Sequence, residues 1–172
     1  MMKRYTMKVE RNKDGEIKES QLLSFKTGKK ADGKCSVVAE DVDVMMGAKD
    51  GDIYYLTDMD EGMGDLYCNE ELIDSDVMIG TLEFTKEQKY PIYKTDYNTS
   101  KNLFTLKMFD GKNAKVIADD AFDYKVVDEK KIAVLVDYDD DDSTGTLKLY
   151  RGKDKLIELD DDVICLFGGM YN

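Results

Sequence analysis

Four oxygen-bearing residues alternate along one short stretch: Asp137, Asp139, Asp141 and Ser143. Calcium is held by about six to eight oxygens converging on one ion, and alternate positions of a tight loop are a common way for a chain to supply them. The stretch is therefore a candidate calcium site. Two others carry the spacing in part, Asp58-Met59-Asp60-Glu61-Gly62 and Asp96-Tyr97-Asn98-Thr99-Ser100. None has the Glu at the twelfth position or the Gly at the sixth that complete a helix-flanked calcium loop. An Asx-type hairpin turn, in which Asp and Asn accept hydrogen bonds from nearby backbone, accounts for the same spacing.

Other chemistry is thinly represented. The run Asp160-Asp161-Asp162 reads as a solvated turn ahead of a strand. With 37 Asp and Glu in the chain, carboxylate pairs suited to a hydrolase arise by chance, and nothing selects one pair. There is no His, which excludes a His-based triad, a His-ligated zinc and a His general base. Three widely spaced cysteines, Cys35, Cys68 and Cys165, give neither a disulfide framework nor a metal-ligand signature. Cys165, within Val163-Ile164-Cys165-Leu166-Phe167, reads as a core residue, while Cys68 fits either burial or exposure. A Cys nucleophile would lack a His to activate it. No catalytic residue and no cofactor is expected, calcium at the acidic hairpins aside. Tyrosines recur near strand starts, among them Tyr54, Tyr55, Tyr93, Tyr124 and Tyr138, suiting packing between sheets or a face that takes a peptide or glycan.

The elements that must carry these residues repeat. Glu40-Asp41-Val42-Asp43-Val44-Met45 is echoed by Asp74-Ser75-Asp76-Val77-Met78-Ile79, by Asp119-Asp120-Ala121-Phe122-Asp123-Tyr124 and by Asp160-Asp161-Asp162-Val163-Ile164-Cys165. From Val42 to Val77, Ala121 and Val163 the steps are 35, 44 and 42 residues. A period near forty signals a stacked repeat, because a short meander cannot bury both faces of its sheet alone. Within a unit the order is strand, acidic turn, strand, polar turn, strand, acidic turn, strand. The third unit gives strands at 93–95, 103–108, 115–117 and 122–127, with Asp110-Gly111 as a tight hairpin. The expectation is one all-β domain over 1–172, in units of about 3–50, 51–90, 91–131 and 132–172.

Charge narrows the partners. Of the 172 residues, the first fifty carry eleven Lys+Arg against nine Asp+Glu, a balance of +2; residues 51–172 carry fourteen against twenty-eight, a balance of −14. So acidic a surface repels a phosphate backbone and disfavours nucleic acid. No apolar run approaches about 18 residues, so no membrane span is expected. Met1-Met2-Lys3-Arg4-Tyr5 has no apolar region behind its charges, so no signal peptide is expected. Unpaired cysteines favour a cytoplasmic setting, with an envelope-attached domain as the alternative.

The stretch Ile132-Ala133-Val134-Leu135-Val136-Asp137-Tyr138-Asp139, then Gly145-Thr146-Leu147-Lys148-Leu149-Tyr150, then Ile157 to Val163, resembles the blade repeat of TolB-like and WD-repeat-like β-propellers. It is similar in particular to acidic blades of Firmicutes proteins, and the dipeptidyl peptidase amino-terminal propellers share the style. The resemblance spans about 36–167 and is one of pattern. It implies a propeller-like scaffold that holds a protein or peptide partner or gates another domain, with no catalytic motif. Four units are fewer than such propellers usually have, which leaves a closed four-bladed ring, a half-ring completed by homodimerisation, or a fragment. A calcium- or carbohydrate-binding module is the alternative function. The apolar end, Leu166 to Tyr171, is expected to pack on the amino-terminal strand of the same chain or of a symmetry mate.

Overall fold

The computed structural model describes residues 2–28, 33–152 and 155–166. Among them there is no helix, and every strand pairing is antiparallel. The all-β expectation therefore holds. The strands form three sheets, none closed into a barrel, and the chain divides into two compact units, Met1–Ile79 and Gly80–Asn172.

The first unit holds two sheets. One is the meander β1 (Met2–Arg11), β2 (Ile17–Thr27) and β3 (Cys35–Glu40). Its first turn follows from sequence: Gly15 takes a φ of 86°, and the Asn12 side-chain oxygen accepts from the Asp14 and Glu16 amides. The second sheet runs in order β4 (Val44–Gly47), β5 (Ile53–Asp60), β6 (Met63–Cys68) and β7 (Glu71–Met78). Leu22 from β2, Val42 from the link into β4, and Tyr55 from β5 form one buried cluster.

The second unit is a single seven-stranded sheet. It is built from β8 (Glu83–Phe84), β9 (Pro91–Asn98), β10 (Leu103–Phe109), β11 (Ala114–Asp128), β12 (Lys131–Asp139), β13 (Thr144–Tyr150) and β14 (Ile157–Val163), adjacent in sequence order. Its core includes Ile92, Phe104, Leu106, Ile132, Val134 and Tyr150. The Asp110-Gly111 hairpin forms as read, with Gly111 at φ 88° and the Asp110 carboxylate accepting from the Lys112 and Asn113 amides. The sheets begin and end near 40/44 and 78/83 rather than at 50/51 and 90/91. The acidic phrase closing one meander leads directly into the first strand of the next.

The acidic phrases were expected as turns, and most of them are bulges within strands. Asp76 lies inside β7, Asp120 inside β11 and Asp162 inside β14, at φ of 55°, 47° and 54°. Asp41, the fourth copy, sits just past β3 at φ 51°. Each precedes a residue turned inward: Val42, Val77 and Ala121 are buried, and Val163 is half-buried. Asp tolerates the left-handed region better than most residues, so one residue can bend a strand without ending the hydrogen-bonded ladder. In β11 the consequence is large. Residues 114–118 pair with β10, residues 123–128 pair with β12, and Ala121 at the bend pairs with both. The strands expected at 115–117 and 122–127 are one continuous strand of 15 residues.

A second set of bulges sits on the other side of the same middle strands. Asp58, Asp96 and Asp137 take φ of 54°, 51° and 53° within β5, β9 and β12. Opposite them lie Gly64, Phe104 and Gly145. A Cβ at Gly145 would meet the Val136 carbonyl oxygen at 2.8 Å, and one at Gly64 the Thr57 carbonyl oxygen at 2.8 Å. The bulge takes up the space a side chain would need, which explains the glycine at two of the three positions.

Candidate functional site

The candidate calcium residues are positioned by the hairpin between β12 and β13. Asp137 is the bulge residue of β12, and its carboxylate accepts from the Lys148 ammonium at 2.9 Å. Asp139 accepts from the Asp141 amide at 2.8 Å, an Asx turn. The Ser143 hydroxyl donates to the Asp140 carbonyl at 3.5 Å. Among the described residues no group of three or more His, Cys, Asp or Glu is placed to hold a metal ion. The first residue of each candidate loop, Asp58, Asp96 or Asp137, takes up a strand bulge.

The tyrosines go mainly to packing. Tyr54, Tyr55, Tyr93 and Tyr150 are buried. Tyr55 stacks on Tyr67 with centroids 5.3 Å apart, a cross-strand pair set by their direct register. Phe122 stacks on Tyr138 at 3.7 Å. Cys68 is buried and pairs with the Tyr54 hydroxyl, and burial pushes both their pKa values up. Cys35 is exposed and Cys165 half-buried. Cys165, expected in the core, lies beyond β14 and is half-buried, and its neighbour Ile164 is 65% exposed; residues 167–172, which include most of the segment expected to pack on the first strand, fall outside the described residues.

Lys94 is a half-buried cation. Its ammonium lies 3.8 Å from the Phe104 ring centroid and 5.4 Å from that of Tyr124. Burial pushes its pKa down, partly offset by the charges of Asp123 and Glu83. Burial and the neighbouring Glu83 raise the pKa of Tyr124. The arrangement holds an ammonium by its attraction to ring faces.

An open cavity lies elsewhere in the second unit. It is an open groove of about 1300 Å³. Val116, Ile117, Ala118, Leu156 and Ile157 supply its apolar lining, and Val116 and Ile157 are 51% and 44% exposed. Among the described residues five cations, Lys130, Lys131, Lys148, Arg151 and Lys155, face it with two acids, Asp119 and Glu158. Residues 80–172 as a whole carry fourteen Lys+Arg against nineteen Asp+Glu, a balance of −5, so the groove reverses the sign of its surroundings.

Register gathers these cations. Ile132 pairs with Tyr150, which brings Lys130 and Lys131 at the β11–β12 turn to the same end of the sheet as Arg151, just beyond β13. The turn itself is set by Asp128, whose carboxylate accepts from the Lys130 amide and pairs with the Lys131 ammonium at 2.7 Å. The Lys130 stem lies against Gly152, where an added Cβ would be 3.5 Å from the Lys130 Cβ. At the opposite end of the same strands the hairpin carries Asp139, Asp140, Asp141 and Asp142. The two hairpin ends thus differ in sign. Lys131 and Lys148 already have carboxylate partners, Asp128 and Asp137. Lys130, Arg151 and Lys155 have no ion-pair partner among the described residues.

Counting charge by blocks of sequence misses this patch, because its members sit in two separate turns. The signal that finds it is the contrast between successive hairpin turns: Lys130 and Lys131 balance Asp128 and Glu129 and Arg151 adds a cation at one end, whereas Asp139 to Asp142 are all acidic at the other. No protein-family model matches the chain, and no curated protein is similar to it.

Proposed function

We propose that the chain is a non-catalytic, propeller-like β-scaffold that holds a protein or peptide partner in the basic groove of its second unit. The groove carries the reading. It is open, has an apolar floor, and presents three cations without an ion-pair partner among the described residues, in an otherwise acidic unit. Its volume exceeds the roughly 300–1,000 Å³ of a typical small-molecule pocket, which suits a length of chain better than a compact metabolite.

The propeller-like part of the reading rests on strand order. β4 to β7 make one four-stranded meander. β8, β9, β10 and residues 114–118 of β11 make a second, and residues 121–128 with β12, β13 and β14 make a third. The last strand of each leads directly into the first strand of the next, as between neighbouring blades. Solution mass by light scattering separates a closed ring from a half-ring completed by a second copy.

Panning a random library of peptides about twelve residues long against the folded protein tests the binding reading. The expected result is enrichment of peptides that bind the wild type and are lost on the Arg151→Glu/Lys155→Glu variant. Absence of enrichment, or peptides bound equally by that variant, overturns it.

A further inference from the structure

Resting on that reading, we infer that the groove takes an extended acidic segment of a partner protein, with apolar side chains at alternate positions. The lining sets both requirements. Lys130, Arg151 and Lys155 are exposed and lack carboxylate partners among the described residues, so carboxylates supplied from outside are their natural complement. Val116 and Ile157 are large, apolar and open to solvent within the same groove, so a purely anionic ligand would leave them wet. In an extended segment successive side chains point to opposite sides, which lets one set reach the apolar floor and the other the cationic rim.

The same charge pattern argues against a nucleic acid. A phosphate backbone running out of the groove meets a chain of net charge −12, including the Asp139 to Asp142 hairpin at the far end of β12 and β13. A short acidic segment carries its charge only where the cations are.

The probe is a fluorescent peptide of about twelve residues alternating Glu and Val, followed by anisotropy. Matching peptides alternate Lys and Val, or Ser and Val, and others are all Glu or an oligothymidylate of like length. The Glu-Val peptide is expected to bind at least about tenfold more tightly than each of the four. Binding should weaken as NaCl rises from about 50 to about 500 mM, because screening shortens the reach of the exposed cations. It should also fall at least about tenfold on the Arg151→Glu/Lys155→Glu variant, whose unchanged melting temperature would show that the fold is retained. Equal binding of the Ser-Val peptide overturns the charge requirement, and equal binding of the all-Glu peptide overturns the apolar one. Tighter binding of the oligothymidylate overturns the choice of partner. If the Glu-Val peptide fails while library peptides of other composition bind the wild type and not the variant, this inference falls and the scaffold reading stands. If both fail, both fall.

Discussion

The Glu129 carboxylate accepts the Thr85 hydroxyl at 2.5 Å across a separation of 44 residues. Its second oxygen accepts the Glu87 amide at 2.8 Å. Thr85 is 1% exposed and also closes its own loop, exchanging bonds with Tyr90 through both backbone and side chain. One side chain at the β11–β12 turn therefore fixes the link between β8 and β9.

Glu129→Ala should destabilise the fold by about 1–3 kcal/mol, since it strands a buried hydroxyl and an amide together. Urea unfolding should show a lower midpoint with the slope unchanged. A midpoint equal to wild type would mean that water replaces the carboxylate at no cost.

Gly145 faces the bulge at Asp137 and has no room for a methyl group. Gly145→Ala would set the new Cβ 2.8 Å from the Val136 carbonyl oxygen and 3.2 Å from Leu135 Cδ1. Overpacking of this kind costs about 1–3 kcal/mol. Gly111→Ala is the control, because nothing lies within 4 Å of its added Cβ and only the φ of 88° opposes it. Thermal melts should rank wild type, then Gly111→Ala, then Gly145→Ala. The reverse order of the two variants would count against the bulge as the reason for this glycine.

Asp120 bends β11 at φ 47°. Asp120→Gly should preserve or raise stability, whereas Asp120→Val should cost about 1–2 kcal/mol, since a β-branched residue is disfavoured there. Two variants of equal stability would mean that the bend does not depend on this residue's conformational freedom.

Asp120 also marks what was legible in the sequence. β-branched and aromatic runs such as Ile53-Tyr54-Tyr55-Leu56 announced their strands, and Asp110-Gly111 announced its turn. The acidic phrases were visible as a pattern but misread as turns. Asp adopts positive φ equally well in a turn and in a bulge, and only the ladder on either side tells them apart. The groove was not legible at all. Lys130 belongs to the β11–β12 turn and Arg151 and Lys155 to the link between β13 and β14, and the pairing of β12 with β13 brings the two together. The acidic hairpin at Asp137 to Ser143 drew attention through local spacing, yet Asp137 is engaged with Lys148, and Asp139 and Ser143 with nearby backbone.

The three thiols differ in exposure, and their reaction with an aromatic disulfide reagent should follow it. Cys35 is exposed, while Cys68 is buried beside Tyr54 with its pKa raised by burial. Thiolate is the reactive form, so Cys68 is doubly protected. Cys35→Ser should remove the fastest phase at neutral pH, and Cys68 should react only as the first unit opens. Rapid modification of Cys68 in the native protein would contradict the core placed around Tyr54.

Lys94 gives the protein an alkaline signature. Burial lowers its pKa below the ordinary lysine value near 10.4, so between the folded and unfolded values the unfolded chain binds more protons. Stability from this group therefore rises with pH across that window and is least where Lys94 is fully protonated in both states. Tyr124 works in the opposite direction. Its raised pKa means that the unfolded chain ionises first, and stability falls above about pH 10. Lys94→Met keeps the stem against Phe104 and removes the charge. The wild type should therefore gain stability relative to Lys94→Met as pH rises from about 8 to about 10, with the Tyr124 contribution largely cancelling between the two proteins. Chemical unfolding at several pH values measures the difference. A constant or falling difference would mean that the two rings and the nearby carboxylates more than offset the burial of the ammonium.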